Sequence, residues 1–265
     1  MYADDTHITY AGVDVNLIQS NLNHDLDNLN KWLISNKLTL NRTKTEFMLN
    51  GSIQKLITLS NPLQLLIDNV QIEYVSSVKS LRIFIDENLR WQTRIDKLSK
   101  KVASGIGAII RTRPSIYSSL YIYNTQIQSH FDYCHLVWGN CGKMLFDRLQ
   151  KFQNCAAHLI TFSSYDADAN RLIKQLHWRD LSTQFQIQKA LMVYKCLNGL
   201  VPEYLSSKFV KRNETRYFLR DSVNKLFVPF PQTNFMENSF SYSGAVLWNS
   251  LPCNVREARS VTQFK

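Results

Sequence analysis

Apolar residues recur every three or four positions in five stretches of the chain, which is the spacing of one buried face of an α-helix. The first stretch begins directly behind Asp14, a good N-cap residue, and the last ends at Gly199, with Pro202 behind it. This pattern predicts helices over residues 15–33, 91–109, 117–128, 145–159 and 181–197.

Shorter apolar runs bounded by turn residues lie mainly between the first two predicted helices, and runs of this kind are typical of β-strands. Asp68-Asn69 separates two of them and suits a two-residue hairpin turn. The runs predict short strands at residues 8–12, 38–40, 47–49, 63–67, 70–74 and 78–85.

The predicted elements give an α+β fold with three parts. A small antiparallel sheet, with the first helix on its back, is expected in residues 1–88. A helical region follows over residues 89–165. Helices then lead into an irregular basic and aromatic segment within residues 166–265, where we expect Trp248 to pack in the last part of the core.

Composition favours a folded protein with a polyanionic partner. The 265 residues are 45% hydrophobic and 12% aromatic, and the net charge is +10. No apolar run is long enough to span a bilayer, and Asp4-Asp5 falls where a signal peptide needs its apolar core. We therefore expect an intracellular protein, nuclear or cytoplasmic and not secreted.

Five scattered cysteines lie among several histidines without the close pairs that zinc sites use. We expect reduced thiols, with Cys134, Cys141, Cys155, His130, His135 and His158 packed in a helical core.

Asp4-Asp5 is the first candidate for chemistry. Two adjacent carboxylates before a strand suit a tight turn, where they can face a divalent cation such as Mg²⁺. Paired metal ions stabilise the attacking and leaving oxygens of phosphoryl transfer. The alternative is that Asp4-Asp5 is only a turn.

Further motifs follow in order along the chain. Those that carry a family resemblance are Tyr2-Ala3-Asp4-Asp5, Asp25-Leu26-Asp27-Asn28-Leu29-Asn30-Lys31-Trp32, Asn36-Lys37-Leu38-Thr39-Leu40-Asn41-Arg42-Thr43-Lys44-Thr45, Ile85-Asp86-Glu87-Asn88-Leu89-Arg90-Trp91, Gln128-Ser129-His130-Phe131-Asp132-Tyr133-Cys134, Val137-Trp138-Gly139-Asn140 and Ser239-Phe240-Ser241-Tyr242-Ser243-Gly244-Ala245-Val246-Leu247-Trp248-Asn249-Ser250-Leu251-Pro252. From Tyr2 to its last residue, the chain resembles the reverse transcriptases of non-LTR (LINE-type, jockey-like) retrotransposons.

The resemblance implies an RNA-directed DNA polymerase that uses an RNA template, a DNA primer and deoxynucleoside triphosphates. It implies that Asp4 and Asp5 hold Mg²⁺ or Mn²⁺ and that Tyr2 lies at the nucleic acid. Lys44 would neutralise or protonate the pyrophosphate leaving group. Neither a small-molecule cofactor nor a membrane is implied.

The resemblance also assigns residues 1–88 to the end of the polymerase palm and residues 89–165 to the thumb. The basic side of the first thumb helix would contact phosphates. Its residues are Arg94, Lys97, Lys100, Lys101, Arg111 and Arg113. Where the family usually has Tyr-Leu-Gly in its primer grip, this chain has Ser80-Leu81-Arg82, so either Arg82 contacts phosphate or the element has drifted.

By the same resemblance, the fingers and a further metal-binding aspartate would precede residue 1. We therefore expect a C-terminal fragment that is inactive alone, because two carboxylates leave a two-metal site short of ligands. Two alternatives remain open, namely a nucleic-acid-binding module without catalysis and a relic that binds another protein.

Overall fold

The computed structural model describes residues 6–58, 63–112, 115–212 and 224–264. It divides into two compact units, Met1–Arg94 and Ile95–Lys265, which are described separately here. Helix and sheet are mixed and the strands are few and short, which confirms the prediction of α+β structure at this coarse level. No described helix combines the length and the apolar character needed to cross a bilayer.

Within its described residues, the N-terminal unit contains two α-helices and six short strands. They are α1 Val15–Ser35, β1 Glu46–Phe47, α2 Ile53–Ile57, β2 Leu66–Ile67, β3 Val70–Gln71, β4 Glu73–Tyr74, β5 Ser77–Ser80 and β6 Ile83–Asp86. β2 pairs with β3 and β5 with β6, both antiparallel, whereas β1 pairs with β4 in parallel. The prediction of one antiparallel sheet is therefore wrong in detail, since the described strands form three separate pairs.

The first helix begins and packs as its sequence predicts. The Asp14 carboxylate accepts a hydrogen bond from the Asn16 N–H at 2.9 Å and so caps α1. Asn23 of α1 accepts from the Leu66 N–H at 2.9 Å and donates to the Gln64 carbonyl at 3.1 Å, which satisfies backbone groups beside β2. Apolar residues of α1 and of the segment around β2 and β3 form the core of this unit. Its buried members are Ile18, Leu26, Leu63, Leu65, Ile67 and Ile72.

Two hairpin turns in this unit have left-handed backbone at both central residues. Asp68 and Asn69 have φ values of 53° and 58°, which confirms the predicted turn. Leu81 and Arg82 have φ values of 46° and 64° and join β5 to β6. The prediction of a single strand over residues 78–85 is thus wrong, because these two residues reverse the chain direction.

Two other predicted strands do not form. Residues 8–12 and 38–40 have no strand pairing within the described residues, and Ile8, Tyr10 and Leu38 are exposed. Alternating apolar residues favour a strand only where a neighbour supplies backbone partners and a face to cover. Here Arg42–Lys44 forms a 3₁₀ turn, and only Glu46–Phe47 of the following segment pairs.

Within its described residues, the C-terminal unit is helical apart from its loops and one isolated antiparallel bridge between Lys211 and Leu226. Its helices are α3 Gln92–Thr112, which begins just before the unit, α4 Ile116–Ile122, α5 Ser129–Asp132, α6 His135–Trp138, α7 Lys143–Ile160, α8 Ala169–Gln175, α9 Leu181–Leu197, α10 Glu203–Ser206, α11 Asn234–Glu237, α12 Phe240–Ser250, α13 Cys253–Arg256 and α14 Val261–Phe264. A π-helical segment, Tyr123–Gln128, joins α4 to α5.

The long predicted helices are confirmed. α3, α7 and α9 cover the predicted ranges, and Gly199 follows α9 with a φ of 67°, which only glycine adopts freely. The helix predicted over residues 117–128 instead changes to π-helical geometry at Tyr123, and Tyr121 is 70% exposed rather than packed. The average spacing of apolar residues along the sequence does not distinguish an α-helix from a π-helical segment.

The end of the unit packs around Trp248 on α12, as predicted. Its ring is 2% exposed, and its indole N–H donates to the Asn224 carbonyl at 2.9 Å. Burial is confirmed for His135 and Cys141 and is wrong for Cys155, which is exposed. The other members of the predicted set, His130, Cys134 and His158, are half-buried.

Gly105 marks a close contact between α3 and the π-helical segment. A Cβ atom there would lie 2.7 Å from Cγ1 of Ile127, which is fully buried. Gly107, two residues further on, has no atom nearer than Arg111 Nη1 at 3.6 Å. Contact between the two helices therefore depends on the missing side chain at one glycine and not at the other.

We expect Gly105→Ala to lower the free energy of unfolding by about 1–3 kcal/mol, because an extra carbon in a filled core forces neighbours to shift. Gly107→Ala is the matched control and is expected to raise it by up to about 1 kcal/mol through helix propensity. Urea unfolding at equal m-value measures both. Destabilisation of equal size in the two variants would contradict the close contact.

Candidate nucleic-acid interface

The start of α3 is fixed by Asp86, the last residue of β6. Its carboxylate accepts hydrogen bonds from the Arg90 N–H at 2.6 Å and the Gln92 N–H at 3.1 Å. Leu89 and Trp91 have φ values of 51° and 67°, so the connection turns tightly between strand and helix. Asp86 thereby satisfies a backbone donor that the first turn of a helix leaves without a partner.

α3 buries one face and exposes the other. The buried face consists of Ile95, Leu98, Val102, Ile106 and Ile109. On the opposite side lie four exposed cations, which we call the α3 basic row: Lys97, Lys100, Lys101 and Arg111. Successive members of this row are three, one and ten residues apart. On a helix with 3.6 residues per turn, these spacings place all four side chains on one side, so several positive charges face one partner.

Arg94 departs from the predicted basic side. Its side chain is buried, with 5% exposure, so the placement of Arg94 among exposed cations is wrong. Position 94 stands one turn before buried Leu98 and two turns before exposed Lys101, at the border between the two faces. Sequence spacing cannot assign such a border position. Arg113, the sixth predicted cation, lies outside the described residues.

The predicted catalytic residues are only partly described. Tyr2, Asp4 and Asp5 lie outside the described residues, so metal binding by Asp4 and Asp5 stays a prediction. Within the described ranges no three metal-ligating side chains gather into a group.

Lys44 is exposed at the end of the 3₁₀ turn. The turn is tied to the β2–β3 hairpin by an ion pair of 2.5 Å between Arg42 and Asp68. Thr43 and Thr45 add hydrogen bonds to Asn41, at 2.8 Å to its side chain and 3.0 Å to its carbonyl. These contacts hold the backbone of the loop in place, and the Lys44 side chain is exposed. Its role toward a pyrophosphate stays a prediction.

Arg82 is exposed in the β5–β6 turn. Because its φ is positive, Arg82 occupies a backbone conformation that glycine adopts without cost and other residues do not. Contact of Arg82 with phosphate stays a prediction.

A polar cluster inside the C-terminal unit was missed by sequence reasoning. Asp132 Oδ1 accepts hydrogen bonds from the side-chain amides of Gln128, Gln184 and Gln188 at 3.0, 2.7 and 3.2 Å. His135 lies one turn further on, buried, with its ring against Phe185 at a centroid distance of 4.6 Å. Since α9 contains other polar residues besides Gln184 and Gln188, its sequence did not single out these two glutamines.

Comparison of the chain with protein-family models, with curated proteins and with solved structures finds no match.

We expect Arg82→Gly to raise the free energy of unfolding by about 0.5–1 kcal/mol, because relief of the left-handed conformation exceeds the added entropy of the unfolded chain. Arg82→Ala removes the same charge but keeps a Cβ atom, and should stay within about 0.5 kcal/mol of the wild type. Urea unfolding compares the three proteins. Equal stabilisation by alanine would mean that charge, rather than backbone conformation, sets the effect.

Proposed function

We propose that this chain is part of a non-LTR retrotransposon reverse transcriptase and that its helical unit binds nucleic acid through the α3 basic row. The observation that carries the binding proposal is the exposed placement of Lys97, Lys100, Lys101 and Arg111 along one side of a helix whose other side is buried. A nuclear or cytoplasmic place of action belongs to the same proposal.

Charge and rigidity both support a phosphate contact. The chain carries a net charge of +10, which favours association with a polyanion in general. α3 adds a defined geometry, because its buried face and the ion pair between Asp96 and Arg148 of α7, at 2.6 Å, hold the helix in place. Cations on a fixed helix lose less freedom on binding than cations on a loop.

We expect binding of a primed RNA template to weaken steeply with salt, because phosphate contacts release counterions. Changing the four residues of the α3 basic row to Gln should reduce the slope of log affinity against log salt by about 3. A matched control removes the same charge elsewhere, with Lys143, Lys151, Arg171 and Lys174 changed to Gln. Fluorescence anisotropy over a salt series measures both variants.

Equal loss of slope in the control would mean that only overall charge matters, and the α3 basic row would then have no special role. Association that ignores salt would favour the alternative in which the chain binds another protein.

The polymerase part of the proposal is tested by primer extension with Mg²⁺ or Mn²⁺. If Asp4 and Asp5 hold the metal, any extension by the wild type is abolished in the double variant Asp4→Ala/Asp5→Ala, since two-metal catalysis requires its carboxylates. Extension that survives the double variant would contradict the assignment. No extension by the wild type is the result expected of a fragment that is inactive alone, and together with salt-sensitive binding it would leave a binding remnant of a polymerase.

A further inference from the structure

A groove of about 550 Å³ follows α9 on the surface of the C-terminal unit, and we call it the α9 groove. α6 lines it at one side. Its floor consists of α9 residues, namely Gln184, Ile187, Gln188, Leu191, Met192 and Lys195. Because these positions recur every three or four residues, they lie on one side of the helix over about three turns, or roughly 16 Å. The groove is therefore elongated along one helix.

The centre of the floor is apolar and incompletely covered. Ile187, Leu191 and Met192 are half-buried, whereas Phe185 and Val193 on other sides of α9 are buried. A helix that is apolar in nearly every direction is normally surrounded by packed neighbours. The stripe is thus an apolar side of α9 that the described part of the chain leaves partly open.

Hydrogen bonds hold the floor in place before anything binds. Gln184 and Gln188 each donate an amide N–H to the Asp132 carboxylate, at 2.7 and 3.2 Å. A preformed site loses little conformational freedom when a partner binds. The α9 groove therefore suits recognition by shape.

Both ends of the α9 groove are positively charged. Arg179 stands just before α9 and Lys195 lies in its last turn, and among the described lining residues none is acidic. Neither cation forms an ion pair with a carboxylate in the part of the chain that the structure describes. At a rise of 1.5 Å per residue, the two positions are about 20 Å apart along the helix. An occupant that meets both cations must be elongated and negative at each end.

The aliphatic centre favours a protein over a nucleic acid as this occupant. A single strand carries a charge at every nucleotide and stacks its bases on aromatic rings. Ile187, Leu191 and Met192 supply neither a cation nor such a ring. An amphipathic α-helix fits, because apolar residues at helical spacing can pack along this stripe and about 14 residues span roughly 20 Å.

We propose that the α9 groove binds an acidic amphipathic helix of a partner protein. The apolar side of that helix packs on Ile187, Leu191 and Met192, and carboxylates in its first and last turns pair with Arg179 and Lys195. This proposal adds a protein partner to the nucleic-acid binding proposed above and does not rest on it, because the α9 groove shares no residue with the α3 basic row.

Three synthetic helical peptides of about 18 residues, long enough to reach both cations, test the proposal. They share leucines on one side and differ only in their first and last turns, which carry Glu, Gln or Lys. By fluorescence anisotropy we expect the Glu peptide to bind about fivefold more tightly than the Gln peptide, because partly exposed ion pairs contribute modestly. The Lys peptide should bind more weakly still, and a Glu peptide with its leucines scattered around the helix should not bind.

The charge contact is tested by Arg179→Gln/Lys195→Gln, which should remove the preference for Glu over Gln and leave binding of the Gln peptide unchanged. Arg171→Gln/Lys174→Gln on α8 is the matched control and should keep the preference.

The apolar contact is tested by Ile187→Gln/Leu191→Gln, which should weaken binding of the Glu and Gln peptides at least about tenfold, because apolar burial is lost. Met144→Gln/Leu200→Gln changes two exposed apolar residues outside the groove and should bind as the wild type does. Equal circular dichroism and equal unfolding midpoints establish that the variants compared are folded.

No binding of the Glu peptide, or a preference that the α8 control loses equally, would overturn the proposal. Displacement of the peptide by single-stranded RNA that depends on Arg179 and Lys195 would assign the groove to nucleic acid and would overturn it as well. Template binding that still depends on the α3 basic row would show that the proposed function survives either result.

Discussion

The Asp132 carboxylate is the interaction on which the helical unit depends most. It lies at the end of α5, half-buried, and one of its oxygens receives amide donors from the π-helical segment and from two successive turns of α9. A carboxylate removed from water needs such donors, and amides removed from water need such an acceptor. The relative positions of α5 and α9 are therefore set by hydrogen-bond direction as well as by apolar packing.

The network continues from Asp132 through half-buried Gln128 to buried Tyr123 and Gln153. Gln128 accepts from the Tyr123 hydroxyl at 2.9 Å, and Gln153 of α7 donates to the same hydroxyl at 3.2 Å and to the Arg179 carbonyl at 3.0 Å. Burial raises the pKa of Tyr123, so its hydroxyl remains a donor. Four helical segments, namely α5, the π-helical segment, α7 and α9, thus share one polar network.

The proposed function uses positive charge held on a rigid helix. The α3 basic row is extended and exposed, and such a surface follows a phosphate backbone without selecting a base.

The sequence by itself determined the long helices, their buried faces and their ends, because these depend on local spacing and caps. Asp14, Gly199, the Asp68-Asn69 turn and the apolar face of α3 were all readable from neighbours along the chain. At Leu81-Arg82 the sequence predicted a continuous strand, whereas the structure has a turn with positive φ at both residues.

Three features were decided only by the tertiary structure: which strands pair, whether Arg94 is buried or exposed, and which polar side chains contact one another. Residues 8–12 alternate like a strand yet lack a partner within the described residues, and a parallel pair between β1 and β4 depends on segments far apart in the chain. Asp132 and Gln188 are 56 residues apart, and no local pattern connects them. Periodicity reports what a segment can bury, whereas hydrogen-bond partners and burial at border positions depend on the neighbours that folding brings near.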